Sequence, residues 1–166
     1  ADIKAATEVL KKNRPYIKRF TSSGFIDDLA RGDTCVTIGF GGDLNIAKRR
    51  AEEAGGKEKI RVMMPKEGVG IWVDSFVIPK DAKHVANAHA YINDFLDPEV
   101  AAKNGNFVTY APSSKPAQEL MDEEFRNDNT IFPTDEDLKN SFIMVPIQPA
   151  ALKFMVRQWQ SVKAGK

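Results

Sequence analysis

Two short stretches set an aromatic ring beside a carboxylate: Gly39-Phe40-Gly41-Gly42-Asp43, and Trp72-Val73-Asp74 inside the run from Gly70 to Pro79. A ring face attracts an alkylammonium group by about 0.5 to 2 kcal/mol. A carboxylate hydrogen bond to a charged partner contributes on the order of 1.5 to 3 kcal/mol. Together the two groups select a cation carried on a hydrocarbon chain. The competing reading makes Asp43 a surface cap or turn residue, Phe40 a core ring and Trp72-Asp74 an edge-strand pair, and periodicity leaves both readings open.

The elements that must hold these groups alternate between helix and short apolar strand. Ala5, Val9 and Leu10 form a helical stripe that stops before Pro15, and Tyr16 to Phe20 reads as a strand. Ser23 is placed to cap a helix carrying Phe25, Ile26 and Leu29, which ends near Arg31-Gly32. Thr34 to Ile38 reads as a strand closing at Gly39, followed by a helix carrying Leu44, Ile46, Ala47 and Ala51 and ending at Gly55-Gly56. Ile60 to Met64 predicts a buried strand, Pro65-Lys66-Glu67-Gly68 a turn, and Gly70 to Ile78 a longer strand. On that strand Trp72, Asp74 and Phe76 share a face, with neighbours about 7 Å apart.

Val85, Ala88, Ile92 and Phe95 predict the next helix. Asp97-Pro98 has the form of an N-cap with proline at the first helical position, opening a helix that ends near Gly105. An extended segment from Phe107 to Pro112 follows, then a short helix around Ala117 to Met121, a polar loop from Arg126 to Thr130 and a cap at Thr134. The prolines between Phe142 and Pro149 predict a loop, and Leu152, Met155, Val156 and Trp159 a final amphipathic helix.

A strand running through a glycine turn into a helix is also where phosphates bind, but the pattern here is wrong for one. The dinucleotide fingerprint needs glycine or alanine where Leu44 stands, and the lysine and hydroxyl of a phosphate loop are missing. Asp43 near the helix N-terminus would repel a phosphate while the dipole helps keep it ionised. Metal and nucleophile chemistry find no better footing. His84 and His89 are five apart, off the helical spacing of a ligand pair, and Cys35 is far from both. The acidic runs Asp122-Glu123-Glu124 and Asp135-Glu136-Asp137 lack the alternation and central glycine of a calcium loop, and read instead as first-turn charge.

Composition narrows the class further. At 166 residues, 42% hydrophobic and 28% charged, the chain has a globular makeup, and a body of this size is expected to bury about 70% of its unfolded surface. The balance of 24 basic against 23 acidic side chains leaves a formal charge of +1, which advertises no nucleic acid or anionic bilayer. The single Cys35 excludes an intrachain disulfide and leaves the redox compartment open. The Ala-Asp-Ile-Lys start is not that of a secretion signal, so either the protein is not exported or an upstream part is missing.

The order of Gly-Phe-Gly-Gly-Asp, Pro-Lys-Glu-Gly, Trp-Val-Asp-Ser-Phe-Val-Ile-Pro, Tyr-Ile-Asn-Asp-Phe-Leu-Asp-Pro-Glu-Val, Tyr110-Ala111 and a terminal Val-Lys-Ala-Gly-Lys resembles the periplasmic spermidine/putrescine-binding proteins of ABC transporters. The resemblance runs through the whole chain and implies the C-terminal half of a two-lobed α/β protein of the type II periplasmic-binding-protein class, its lobes joined by crossover strands. Such a protein closes like a hinge on a linear polyamine in the periplasm and delivers it to a membrane permease, without a cofactor.

The leading strands, the signal sequence and the residues forming the other wall of the cleft are then expected in a missing N-terminal half. Carried over by position, the ligand site falls on Phe40, Asp43, Trp72, Asp74 and Tyr110. Phe40 stands where tryptophan is frequent in relatives. Trp72 stands where relatives tuned to the shorter diamine tend to carry phenylalanine, which implies a preference for spermidine over putrescine. The same resemblance assigns residues 1–64 to the second lobe, 65–110 to the first and 111–166 to a return into the second. Two other classes stay open: an interaction module recognising methyl-lysine through an aromatic cage, and an amine-modifying enzyme. The enzyme would need a nucleotide or flavin turn, or a base and nucleophile pair, that the sequence does not show.

Overall fold

The computed structural model describes residues 2–56 and 59–165. It divides into two compact units, 1–23 with 144–166 and 24–143. In the first unit, helix α1 (Asp2–Asn13) packs on the C-terminal helix α9 (Pro149–Lys163). Pro15 ends α1 as the sequence predicts, by turning Arg14–Tyr16 into a single 3-10 turn. Phe20 then meets Trp159 edge to face with ring centroids 4.6 Å apart, and Val162 is buried beside this seam. Lys166, the last residue of the terminal motif, lies outside the described residues.

The second unit carries all five residues of the expected site. Helix α2 (Phe25–Ala30) packs on α3 (Gly41–Glu53), which also touches α5 (Pro98–Val108). Phe25, Leu29, Ala47, Ala51, Ala101 and Ala102 are buried and supply much of the core. The alanines let the helix backbones approach closely. Asp97 caps α5 as expected, its carboxylate accepting from the amides of Glu99 at 3.0 Å and Val100 at 3.2 Å. Helix α4 (Val85–Phe95) precedes it, and three short helices follow: α6 (Lys115–Glu119), α7 (Glu123–Arg126) and α8 (Asp135–Leu138). Both acidic runs do fall at helix starts, Asp122 as the N-cap of α7 and the other five acids in first turns, and Thr134 closes a capping box with Asp137.

The strands depart most from expectation. Among the described residues the ladder pairs only β1 (Gly70–Ile71) with β2 (Phe142–Ile143), in parallel. Tyr16 to Phe20, Thr34 to Ile38, Ile60 to Met64 and Trp72 to Ile78 join no ladder. Their apolar side chains are correspondingly bare, with Val36 83%, Ile38 100% and Val77 82% exposed. A strand is defined by its neighbour's hydrogen bonds, which no single segment supplies.

Elsewhere the chain departs from expectation only locally. Phe142 and Ile143 form a strand where a loop was expected, because the amide of Phe142 donates to the carbonyl of Val69 at 3.0 Å. The turn at Pro65 to Gly68 closes as expected. Gly68 has φ +97, and a Cβ there would lie 2.0 Å from the Asn140 carbonyl oxygen, so the approach of the two segments requires glycine. Gly24, not Ser23, is the N-cap of α2. Helix α5 runs on past Gly105 to Val108, so Phe107 is helical rather than extended.

The total surface tells the same story as the bare strands. The chain exposes 12853 Å², where a folded monomer of 18.4 kDa exposes about 8,200 Å² and its unfolded chain about 26,700 Å². It therefore buries only about half of its unfolded surface instead of the expected 70%.

Candidate ligand-binding site

Phe40 is the N-cap residue of α3, and its extended backbone, φ −74 and ψ 140, turns it out of the helix. Asp43 follows in the first turn, where the exposed amides of the helix terminus favour a negative charge. The ring of Phe40 meets Trp72 edge to face, with centroids 5.1 Å apart and planes at 68°. Both rings stay nearly half open to solvent, Phe40 at 46% and Trp72 at 43%, so Phe40 is not a core ring.

Tyr110 approaches Asp43 from the end of α5. Its hydroxyl donates to Asp43 Oδ1 at 3.0 Å. Partial burial, then the hydrogen bond to Asp43 and the charge of Asp43, with a smaller effect from Asp74, push the phenol up to about 12. At neutral pH it is a neutral donor. It occupies Oδ1 of Asp43, and among the described residues no hydrogen bond takes Oδ2, which is left for a second donor such as an ammonium group. Asp74 is exposed on the segment that carries Trp72, and its charge reaches Tyr110. Two half-open rings, two carboxylates and a phenol therefore lie on one compact unit.

Phe76 goes elsewhere: its ring packs with Tyr91 at 5.8 Å and Phe95 at 5.0 Å, both on α4. His84 and His89 are exposed. Among the described residues no group of three His, Cys, Asp or Glu side chains gathers as metal ligands, and no helix is long and apolar enough to cross a membrane. Two concavities are lined by other residues, one by Lys115, Gln118, Glu119, Arg126 and Phe132, the other by Ile46, Arg49 and Phe107 among others. The half-exposed Phe40–Trp72 pair forms an open shelf.

Two neighbours of these residues were not legible as part of the arrangement. Gly42 faces the Tyr110 ring so closely that a Cβ would lie 2.1 Å from it. Thr109 is buried and left-handed, φ 54 and ψ 37, a conformation that costs roughly 1 to 2 kcal/mol outside glycine. Its hydroxyl lies 2.8 Å from the carbonyl of Gly42 and 2.7 Å from that of Val108, sharing one proton between them. The Gly41-Gly42 doublet hints at a close approach. Nothing in the sequence marks Thr109, since β-branched residues avoid this region.

The model of the bacterial extracellular solute-binding protein family matches residues 1–134. This chain belongs to that family. The putrescine-binding periplasmic protein SpuD of Pseudomonas aeruginosa is 39% identical over 99% of the chain, which spans 45% of that relative. The putrescine-binding periplasmic protein PotF of Escherichia coli is 38% identical over 97% of the chain and is 44% covered. A crystal structure of the spermidine/putrescine ABC transporter substrate-binding protein PotD from Streptococcus pneumoniae superposes with a TM-score of 0.71 at 24% identity, over 98% of this chain and 48% of that one. The fold is thus that of a periplasmic binding protein, an incomplete α/β architecture in which helices dominate. The chain spans less than half the length of the curated relatives it matches.

Proposed function

We propose that the chain is the polyamine-contacting C-terminal part of a periplasmic substrate-binding protein that captures a linear polyamine for an ABC-transporter permease. One observation carries this reading: the half-open Phe40–Trp72 pair stands on the same unit as Asp43, bonded by Tyr110, with Asp74 on the Trp72 segment. Rings hold the methylene stem by cation–π and apolar contact, while Asp43 and Asp74 meet ammonium groups and the Tyr110 hydroxyl orients the first. None of these groups makes or breaks a covalent bond, in keeping with the names of the relatives, which are those of binding proteins.

An open shelf covers one side of a ligand, so an N-terminal half supplies the opposite wall. In the assembled protein we assign residues 1–64 and 111–166 to one lobe and 65–110 to the other, with crossings near Met64-Pro65 and Tyr110-Pro112, a division that cuts across the single unit 24–143 of this chain. Closure of the lobes then sandwiches the amine. The large Trp72 ring favours spermidine over putrescine. The relatives named for putrescine are the more similar ones, at 39% and 38%, against 31% for the spermidine/putrescine-binding periplasmic protein of Escherichia coli. The preference therefore rests on Trp72 alone.

Calorimetry on the complete protein with spermidine, putrescine, acetyl-coenzyme A and a trimethyl-lysine peptide tests the reading. Binding confined to the two polyamines, without turnover, is the expected result. Heat from only the peptide or only the coenzyme would overturn it.

A further inference from the structure

We propose that Thr109 and Gly42 are positioning residues: the strained Thr109 hydroxyl clasps the Gly42 carbonyl, and the bare Gly42 seats the Tyr110 ring, so that together they aim the Asp43 carboxylate. This rests on the reading of Asp43 as an amine-binding group. Three observations converge on the clasp. Thr109 is the only non-glycine residue with positive φ among the described residues, and it directly precedes Tyr110. A helix commonly ends on glycine or asparagine in that conformation, because either adopts it with little strain. Threonine accepts the strain and gains what neither provides here, a buried hydroxyl 2.8 Å from the carbonyl of Gly42 on another helix.

Gly42 completes the device. With any side chain at that position the Tyr110 ring, 2.1 Å from where a Cβ would stand, must move off α3. The left-handed turn directs the chain leaving α5 back onto the first turn of α3, and the ring seated on Gly42 puts its hydroxyl 3.0 Å from Asp43 Oδ1. Arg49 holds the same junction from the side, donating to the carbonyls of Asn106 at 3.2 Å and Phe107 at 2.9 Å at the end of α5. A carboxylate fixed before the ligand arrives loses less freedom on binding, which is how positioning becomes affinity.

The test reads Tyr110 with no ligand present. In the complete protein, alkaline difference absorbance against Tyr110→Phe isolates its titration, which burial and the bond to Asp43 push above the ordinary tyrosine range. Thr109→Val keeps the branched shape and removes the hydroxyl. It is expected to bring the midpoint down toward the ordinary tyrosine value and to weaken spermidine and putrescine binding by up to about tenfold, the effect of one net hydrogen bond. Thr109→Ser is expected to restore both. Gly42→Ala keeps the carbonyl that Thr109 meets while displacing the ring, and is expected to lower the midpoint as well, which keeps the proposal open to refutation if Thr109→Val does not fold. Variants that lose thermal stability while the folded protein keeps its midpoint and affinity make these residues mere packing and overturn the proposal. If the unsubstituted protein binds neither polyamine, the functional reading falls, whereas the ligand-free titration still decides the positioning.

Discussion

Asp74 and Trp72 sit two residues apart, yet they answer different questions. The carboxylate is exposed, so its effect on binding is that of a charge-assisted hydrogen bond formed with the ligand. Asp74→Asn in the complete protein is expected to weaken polyamine binding by on the order of 1.5 to 3 kcal/mol, read by calorimetry; unchanged affinity removes Asp74 from the site. Trp72→Phe keeps a ring against Phe40 and shrinks its face. The preference for spermidine over putrescine should narrow, and competition between the two amines in one titration measures it. A widened preference would contradict the role given to the larger ring. At this scale the sequence carried the ring and acid types of Phe40, Asp43, Trp72 and Asp74, with Tyr110 proposed only through the family resemblance, but not their support. Residue type and spacing announce a ring and an acid. The space that glycine leaves at 42 and the turn at 109 exist only once α3 and α5 are in contact.

Helices were legible because their signals are local. Asp97 before Pro98 caps α5 with two amide bonds, as that pair of residues implies. Asp97→Ala is therefore expected to lower stability by about 1 kcal/mol, read by denaturant unfolding. An unaltered midpoint would mean that water replaces the cap. At α8 the Asp137 carboxylate accepts from the Thr134 hydroxyl at 2.6 Å and its backbone amide at 2.9 Å, the two bonds that hold it below its ordinary value, the hydroxyl first. A carboxylate depressed in the folded state adds stability above its unfolded value and loses it as pH falls through the folded one. Protection of the α8 amides from hydrogen exchange should thus fall in acid, below the usual aspartate range. Asp137→Asn should remove that dependence. The strands failed at this same scale, since Thr34 to Ile38 and Trp72 to Ile78 have the right composition and no ladder beside them.

Taken whole, the chain carries an unusual load of bare apolar side chains, with Ile38, Val36, Val77, Val73 and Ile143 each more than 70% exposed. Large exposed apolar area marks surfaces that another element covers. With the proposed opposite wall absent, residues 1–166 alone are expected to bind spermidine or putrescine far more weakly than the complete protein. Parallel titrations of the two measure it, and full affinity in the isolated chain would show that the shelf suffices. Local pattern determined most of the helices, the Asp97 and Thr134 caps and the absence of phosphate-binding signals, and it set a ring beside an acid at 40–43 and at 72–74, because each depends on neighbours a few positions away. Only the tertiary structure decided which extended segments pair, that Phe40 stays open beside Trp72, and that Tyr110 is seated by Gly42 and Thr109 onto Asp43. Those depend on groups 30 to 70 residues apart meeting in space, and no local pattern encodes a distance that the packing of whole helices sets.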